Sequence, residues 1–470
     1  MSDKNALQHP GDFALDGVLL IGTSGIRKEV SNLVQEINIY ENLNVPYIEG
    51  QLLLKDADGL SSELPFLGQE RLLFSLRTPG HHTIDFNKYH AIVYNVRKRV
   101  HTSDRAQSVL VDFTTYDNFK NKQIKISKSF NGQISDIVQE IIKGSNFLGS
   151  HKYFTIDPTL NVRKFVIPNL TPYQAVNLLK NEAISKKENS PHYLFYENSE
   201  GYHFRSFDSL LGEQGNKIVA PKATYVFQHP NSAVNTEKEN PSTAIHTILH
   251  WEVFNNTNSI INLKNGMYAS TLFTHDIFNK NIQKFEFNYE NDYDRRNSVN
   301  MNKKSHGPLV SLLKDDELGG KKLTQQFNQK VFVHPSGSDN LHTQGIHNNA
   351  EKWLQSSNAR YLERVNNFTI KIETYGDTDI MVGDIFNVII PVNDTVGEAS
   401  ARDAIDRVLS GRYVVTELHH LVQPSIQKHM MTMTVMKDSF ENEPAVVQTR
   451  YKTPPMGMTD KEFKTRVFMQ

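Results

Sequence analysis

The chain has 470 residues, 51 Lys and Arg against 52 Asp and Glu, a net charge of −1, and no cysteine. That length exceeds one ordinary hydrophobic core, so about two to four domains are expected. The balanced charge argues against a general nucleic-acid surface, which needs clustered basic side chains, and the lack of cysteine excludes disulfides and thiolate metal sites.

The N-terminus, MSDKNALQHPGDF, has no apolar signal region, and no apolar run approaches the roughly 20 residues of a membrane span. Residues 1–12 read as an arm. Residues 13–116 read as strand-rich. Leu15–Ile21 is a strand ending at Gly22-Thr23-Ser24-Gly25. Leu33, Gln35, Ile37 and Ile39 share one side of the next. Ile48–Leu54 closes at the turn Lys55–Gly59, and Leu72–Leu76 stops at Pro79-Gly80. Ala91–Val96 and Ser108–Phe113 follow. Short strands separated by turn signals predict a small antiparallel barrel or sandwich.

Residues 117–211 read as an α+β domain. Ile124–Ile126 is a short strand, and Ile134, Ile137, Val138 and Ile141 form a helical stripe ending near Gly144. Phe165–Ile167 reads as a buried strand that stops at Pro168, which has no N–H for a sheet. Thr171 is a helix N-cap and Pro172 occupies the first helical position. Tyr173, Val176, Leu179 and Ala183 then recur at three and four, while Lys180, Glu182, Lys186 and Lys187 face water. Past Ser190-Pro191 the period becomes two. Tyr193 and Phe195, mirrored by Tyr202 and Phe204, flank Asn198-Ser199-Glu200-Gly201 as a hairpin.

Residues 212–290 and 350–440 hold a second barrel-like strand set with associated segments. Its strands are Tyr225–Phe227, Met267–Ile277, Ile282–Tyr289, Phe368–Ile372, Ile385–Ile390, Tyr413–Val415 and Met431–Met436. A short helix and strand pieces are expected within Pro241–Asn265. A helix starting near Asn349 carries Trp353, Ser357, Arg360, Tyr361 and Arg364. Between the two halves, residues 291–349 lose all periodicity and read as a long loop or insertion. Val392–Ser410 reads as a polar loop and residues 441–470 as a tail.

The candidate chemistry is sparse. His246 and His250 have the i, i+4 spacing of a helical metal pair but lack the Glu that zinc proteases place after the first His, so they read as structural. His81-His82 and His419-His420 are adjacent pairs whose side chains point to opposite faces of a strand. Gly22–Gly25 lacks the glycine spacing of a nucleophile elbow and reads as a turn. Gly319-Gly320-Lys321-Lys322 lacks the spacing of a phosphate loop. Asp315-Asp316 is not placed across any cleft. Tyr193, Phe195, Tyr202 and Phe204 could stack bases, but their alternation assigns them to a core. No catalytic, cofactor-binding or metal-ligating residue is assigned.

Several stretches, in order over most of the chain, resemble the central baseplate hub protein of T-even-like contractile-tailed phages. They are GVLLIG at Gly17–Gly22, LVQEINIYENLNVPYIEGQLLLKDADGL at Leu33–Leu60, and IKISKSF at Ile124–Phe130. IPNLTP at Ile167–Pro172, YLFYENSEGYHFRSFDSLL at Tyr193–Leu211 and NGMYASTLFTHDIFNK at Asn265–Lys280 follow. VGDIF at Val382–Phe386 and the closing GRYVVTELHH and MMTMTVMKDSF complete the set. Residues 291–349, 392–410 and 441–470 depart from it.

The resemblance implies a mainly β fold: two antiparallel β-barrel tube domains, an α+β domain and a long insertion, related to the tube domains of the type VI secretion spike protein. It implies a homotrimeric ring, no enzymatic activity and no cofactor. The ring joins the hexameric tail tube to the trimeric cell-puncturing spike, and phage DNA passes through its lumen as cargo. Implied partners are the spike, the tube or tube-initiator proteins and, as further contacts, the tape-measure protein and the baseplate wedge. The implied location is the virion tail, with assembly in the host cytoplasm. Two other readings of the residues remain open, a tail-tip cell-wall hydrolase and a carbohydrate-binding tail-tip module.

Overall fold

Strand β5 (Arg71–Arg77) shows how the first part of the chain is built. Leu72, Phe74 and Leu76 are buried while Arg71 and the alternate positions between them face outward, so one face of the pleat makes the core. The same logic gives β1 (Ala14–Ile21), β3 (Val34–Asn42), β4 (Glu49–Asp56), β7 (Ala91–Ser103) and β8 (Ala106–Thr115). These strands run in the order β1–β5–β7–β8–β4–β3, with β2 (Arg27–Glu29) beside β1 and β6 (Thr83–Asp85) beside β5. The gap between β1 and β3 is bridged by the segment joining β2 to β3. Val30 N–H donates to the Val18 carbonyl at 2.8 Å, and Val18 N–H donates to Ser31 Oγ at 2.9 Å. Gly50 in β4 is needed for close packing, since a Cβ there would lie 2.1 Å from the Phe113 ring and 2.4 Å from the Asn38 carbonyl.

This computed structural model describes residues 7–440 apart from 57–58, 65, 104–105, 214–216, 228–243, 256–257, 277–279, 294, 301–316, 319–320, 323–325, 327–329, 336–349, 367 and 392–404. Gly319-Gly320, Asp315-Asp316, the 441–470 tail, and most of the 291–349 and 392–410 stretches therefore lie outside the described residues.

The α+β domain follows α1 (Tyr116–Gln123). Strands β9 (Ile126–Gln133) and β11 (Val162–Leu170) pair antiparallel, and β10 (Tyr153–Ile156), β13 (Gly201–Ser206) and β12 (Tyr193–Asn198) form a second sheet. Helices α2 (Ile134–Lys143) and α3 (Pro172–Lys180) complete the layer, and α4 (Phe207–Leu211) leaves it. Strand β11 does not stop at Pro168. It continues to Leu170 because it pairs with β9 alone, and its register shifts just after the proline. Val166 points to solvent rather than into the core. Helix α3 starts as its sequence requires: Thr171 and Gln174 form a reciprocal capping box with Pro172 in the first turn. Tyr173, Val176 and Leu179 are buried. Lys180 is not on the wet side. It is half-buried, and burial, reinforced by the Arg364 guanidinium, lowers its ammonium to about 8.

Residues from two distant segments make a second six-stranded ring. Its strands are β14 (Thr224–Phe227), β15 (Thr247–Asn255), β19 (Thr369–Tyr375), β20 (Ile385–Ile389), β21 (Gly411–Gln423) and β22 (Lys428–Met436). The ring closes in the order β14–β15–β19–β22–β21–β20–β14. The two ladders flanking β14 are parallel and the other four antiparallel. His246 and His250 do not share a helix, because Thr247–Asn255 is a strand and the nearby helix lies at Ser259–Lys264. Outside the ring, β16 (Ala269–Asp276), β17 (Asn281–Asn288) and β18 (Val331–Pro335) form a separate sheet. The long helix α5 (Ala350–Asn366) packs beside it through Ala359 and Leu362.

Strand β21 belongs to both rings. Val414 pairs with Ile385 of β20, while Glu417–Val422 pairs antiparallel with Ile37–Asn42 of β3. The two rings are thus one continuous sheet, and Val422 enters the core of the first.

Candidate functional site

Four groups of buried polar side chains sit where the parts of this fold join. At the ladder between the rings, His419 of β21 stacks on Tyr40 of β3, with ring centroids 4.5 Å apart, and its Nε2 lies 2.7 Å from Asn38 Oδ1. His420 faces the opposite way, as strand geometry requires, with its Nδ1 3.1 Å from His429 Nε2. Burial lowers both imidazoles, His429 to about 4. That interior pair is neutral at pH 7.

A second joint is made by the β12–β13 hairpin, which is buried on both faces. Tyr193, Phe195, Tyr202 and Phe204 pack in the α+β core, while Leu194 and Tyr196 belong to the core of the second ring with Phe207, Leu210 and Leu211. At the hairpin tip, Glu41 from the end of β3 accepts hydrogen bonds from Ser199 N–H at 3.1 Å and Val382 N–H at 3.3 Å. Burial pushes this carboxyl up to about 8, against the pull of those two donors. Glu197 in the same hairpin forms a buried ion pair with Lys152 and accepts from the Thr115 hydroxyl at 3.1 Å.

The third joint connects the turn after β5 to the loop after β19. Thr78 N–H donates to Thr378 Oγ1 at 3.0 Å, and the Thr378 hydroxyl donates to the His82 carbonyl at 2.6 Å. His81 Nδ1 lies 2.6 Å from Asp377 Oδ1 and 3.4 Å from Asp379 Oδ2. His246 Nε2 approaches Asp377 Oδ2 at 3.4 Å. Burial alone would raise Asp377, but hydrogen bonds from His246 and His81 outweigh it and hold the carboxyl below the usual range. The same bond to Asp377 raises His81. Gly376 lets the loop lie against His429, since a Cβ there would be 2.1 Å from the imidazole ring.

The fourth is an ion cluster at α5. Arg360 is fully buried and donates to Asp208 at 3.0 Å, to Glu363, to Asp438 at 3.3 Å and to the Asn297 carbonyl at 2.8 Å. Its guanidinium also lies 4.9 Å from the Phe207 ring centroid. It therefore ties α4, α5 and the end of β22 together.

Of the residues singled out in the sequence, His81 and His246 come together, on Asp377 rather than on their sequence neighbours. His82 engages Asp379 only through its backbone N–H, at 2.6 Å. His250 is exposed within β15. Gly22 and Gly25 form a turn between β1 and β2, with Gly25 N–H donating to the Gly22 carbonyl at 2.9 Å. Sequence reasoning missed Glu41, Asp377, Asp379 and the role of Arg360. The stretch Gly376-Asp377-Thr378-Asp379, acidic and turn-like between two strands, was a readable signal. A buried Glu41 inside an alternating strand was not.

No family model matches the chain. A probable baseplate hub protein of Vibrio phage KVP40 is 24% identical over 435 residues, which cover 88% of this chain and 92% of that protein. A tail protein from Neisseria meningitidis MC58 has a TM-score of 0.50 at 11% identity, over 91% of this chain and 97% of that one. The 43 kDa tail protein of prophage MuSo2 from Shewanella oneidensis has a TM-score of 0.45 at 9% identity, over 90% and 98%. This chain thus resembles a baseplate hub protein in sequence and shares the fold of a tail protein along nearly its whole length.

Proposed function

We propose that this chain is a structural component of a contractile phage tail, the hub of its baseplate. The observation that carries the reading is the extent of the match: a protein named as a baseplate hub is similar over 88% of this chain and 92% of its own length, too much to rest on one ring or on the α+β domain alone. A hub must present large fixed surfaces, and its energy goes into interfaces rather than into a pocket. The buried joints suit that task, because they hold two rings at one angle.

In the finer form of the proposal, three copies form a closed ring in which two barrels from each give a pseudo-sixfold torus. One end meets the hexameric tail tube or its initiator, and the other carries the trimeric spike. DNA crosses the lumen as cargo, and the tape-measure protein and baseplate wedge are further contacts. The chain's place is the virion tail, reached by assembly in the host cytoplasm. Its role is structural, with any cell-wall hydrolysis left to the separate spike chain.

Electron microscopy of assembled tail tips tests this. Three copies coaxial with the tube are expected. Six copies, or a position at the baseplate periphery, would overturn it. The solution mass of the purified protein, alone and with a spike partner, gives a second reading of the trimer.

A further inference from the structure

We propose that the joint between the two rings is a binding site for a divalent first-row transition-metal ion, ligated by His81 Nδ1, Asp377 and Asp379 and completed by water. The donor atoms of these three residues lie within 4.8 Å of one another. One imidazole nitrogen with two carboxylate oxygens is a donor set that zinc accepts, with metal–ligand bonds of about 2.0–2.2 Å. The 3.4 Å separation of His81 Nδ1 and Asp379 Oδ2 is close to the roughly 3.4 Å edge of a tetrahedron with such bonds. At 2.6 Å, His81 and Asp377 share a proton. The cation takes that proton's place, and the contact opens by about 0.5–1 Å to meet the same bond lengths.

The surroundings fit a ligand position. His246 Nε2 sits 3.4 Å from the second oxygen of Asp377, the arrangement by which an outer imidazole orients a ligating carboxylate. An independent observation is Tyr225. Its side chain is fully buried, and its hydroxyl has no hydrogen-bond partner among the described residues. Its ring packs edge-on against His246 with centroids 5.1 Å apart, and the carboxylates acting on its hydroxyl are Asp377, Asp384 and Asp379. A buried hydroxyl left without a partner costs free energy, and a metal-bound water would satisfy it. The site is reachable from solvent, because the Asp379 side chain is 42% exposed and that of His81 19%.

His81 comes from the turn after β5 of the first ring, and Asp377 and Asp379 from the loop after β19 of the second. An ion held between them binds only while the rings are joined, so it stabilises the joined state by mass action. The site would be a staple across the hub.

The experiment uses full-length protein stripped with EDTA, incubated with zinc chloride, passed through a desalting column and assayed for metal by mass spectrometry. About one zinc per chain and a raised Tm are expected, as a site coupled to folding requires. Asp379→Asn keeps an oxygen for the His82 N–H and sits at a half-exposed position, so it should fold as the parent does. It should lose both the retained zinc and the Tm rise, and His81→Ala should do the same. Should His81→Ala fail to fold by circular dichroism, Asp379→Asn decides alone. The proposal is overturned if the parent retains no zinc. It is equally overturned if Asp379→Asn retains as much as the parent, which would place the zinc on another histidine. Retention of calcium or magnesium in place of zinc would also overturn it.

Discussion

The two rings have the same number of strands and opposite construction. The first is folded from one stretch, Ala14 to Thr115, in which β3–β4 and β7–β8 are hairpins while β1 pairs with β5 and β4 with β8 across the stretch. The second takes β14 and β15 from one side of a helix-and-sheet assembly, and β19 to β22 from the other. Yet it is the second that closes through an unbroken set of ladders, while the first bridges β1 and β3 with two hydrogen bonds from one segment. A ring made of nearby strands closes at low entropic cost. One made of distant strands must be held by side chains that span the segments. The second ring has such a group in Arg360, which reaches Asp208 before the ring and Asp438 after it.

The sharpest way to break this comparison is to remove that group. Arg360→Ala leaves the buried carboxylates Asp208 and Asp438 without their cation, while Glu363 keeps the Arg296 guanidinium at 3.8 Å. The expected cost is about 3–5 kcal/mol, as for other broken buried ion pairs. Thermal melting followed by near-ultraviolet circular dichroism measures it. A loss under about 1 kcal/mol would mean that the ladders alone hold the second ring.

The next effect tests the domain between the rings. Leu179 in α3 is fully buried in the core that also holds Tyr193, Phe195, Tyr202 and Phe204. Leu179→Ala should cost about 2–5 kcal/mol in the same melt. A parent-like melt would show that this core can collapse around the lost volume, and that the hairpin is anchored by the second ring instead.

How far these features were legible in the sequence follows the same division. All six main strands of the first ring are marked by alternation and by turns such as Pro79-Gly80, which are local signals even though β1–β5 and β4–β8 pair across the stretch. In the second ring, Thr224–Phe227 is short and paired in parallel on both sides, so its neighbours in space are invisible from its neighbours in sequence. The hairpin was readable as a hairpin. Its double burial was not, because period two tells only which residues share a face and Leu194 and Tyr196 were assigned no core. Thr171-Pro172 announced α3 by local capping chemistry, whereas Lys180 was misplaced because Arg364, the charge beside it, comes from a distant helix. The joints depend wholly on such long-range meetings. His81 and Asp377 are 296 positions apart.

Glu41 sharpens the comparison through pH, since it ends β3 of the first ring and holds a loop of the second. Its folded-state value near 8 lies above its ordinary 4.5. The folded protein therefore binds more protons than the unfolded chain between those values, and this contribution to stability is present below about pH 4.5 and lost as pH rises through about 8. Glu41→Gln removes the titration, although its amide meets the two backbone N–H donors with only one oxygen. The difference in stability between variant and parent should shift in the variant's favour by up to roughly 4 kcal/mol from pH 5 to pH 8.5. Urea melts at those two pH values measure it. A constant difference would show that Glu41 is already ionised at the lower pH.

The smallest effect is expected at Lys186, and it tests where the scaffold meets water. Lys186 follows α3 and is exposed, unlike Lys180, the last residue of that helix, six positions earlier. Its structural contribution is made by the backbone, whose N–H donates to the Pro158 carbonyl at 3.0 Å and is kept in alanine. Neither burial nor a buried charge is lost on truncation, so Lys186→Ala should change stability by no more than about 0.5 kcal/mol in the free protein. The same variant should assemble into tail tips as the parent does. A normal melt with defective assembly would place this face of the α+β domain in contact with a neighbouring chain. A sharply lowered melt would mean instead that the domain's wet side has been assigned to the wrong face, and the anchoring role of Leu179 would fall with it.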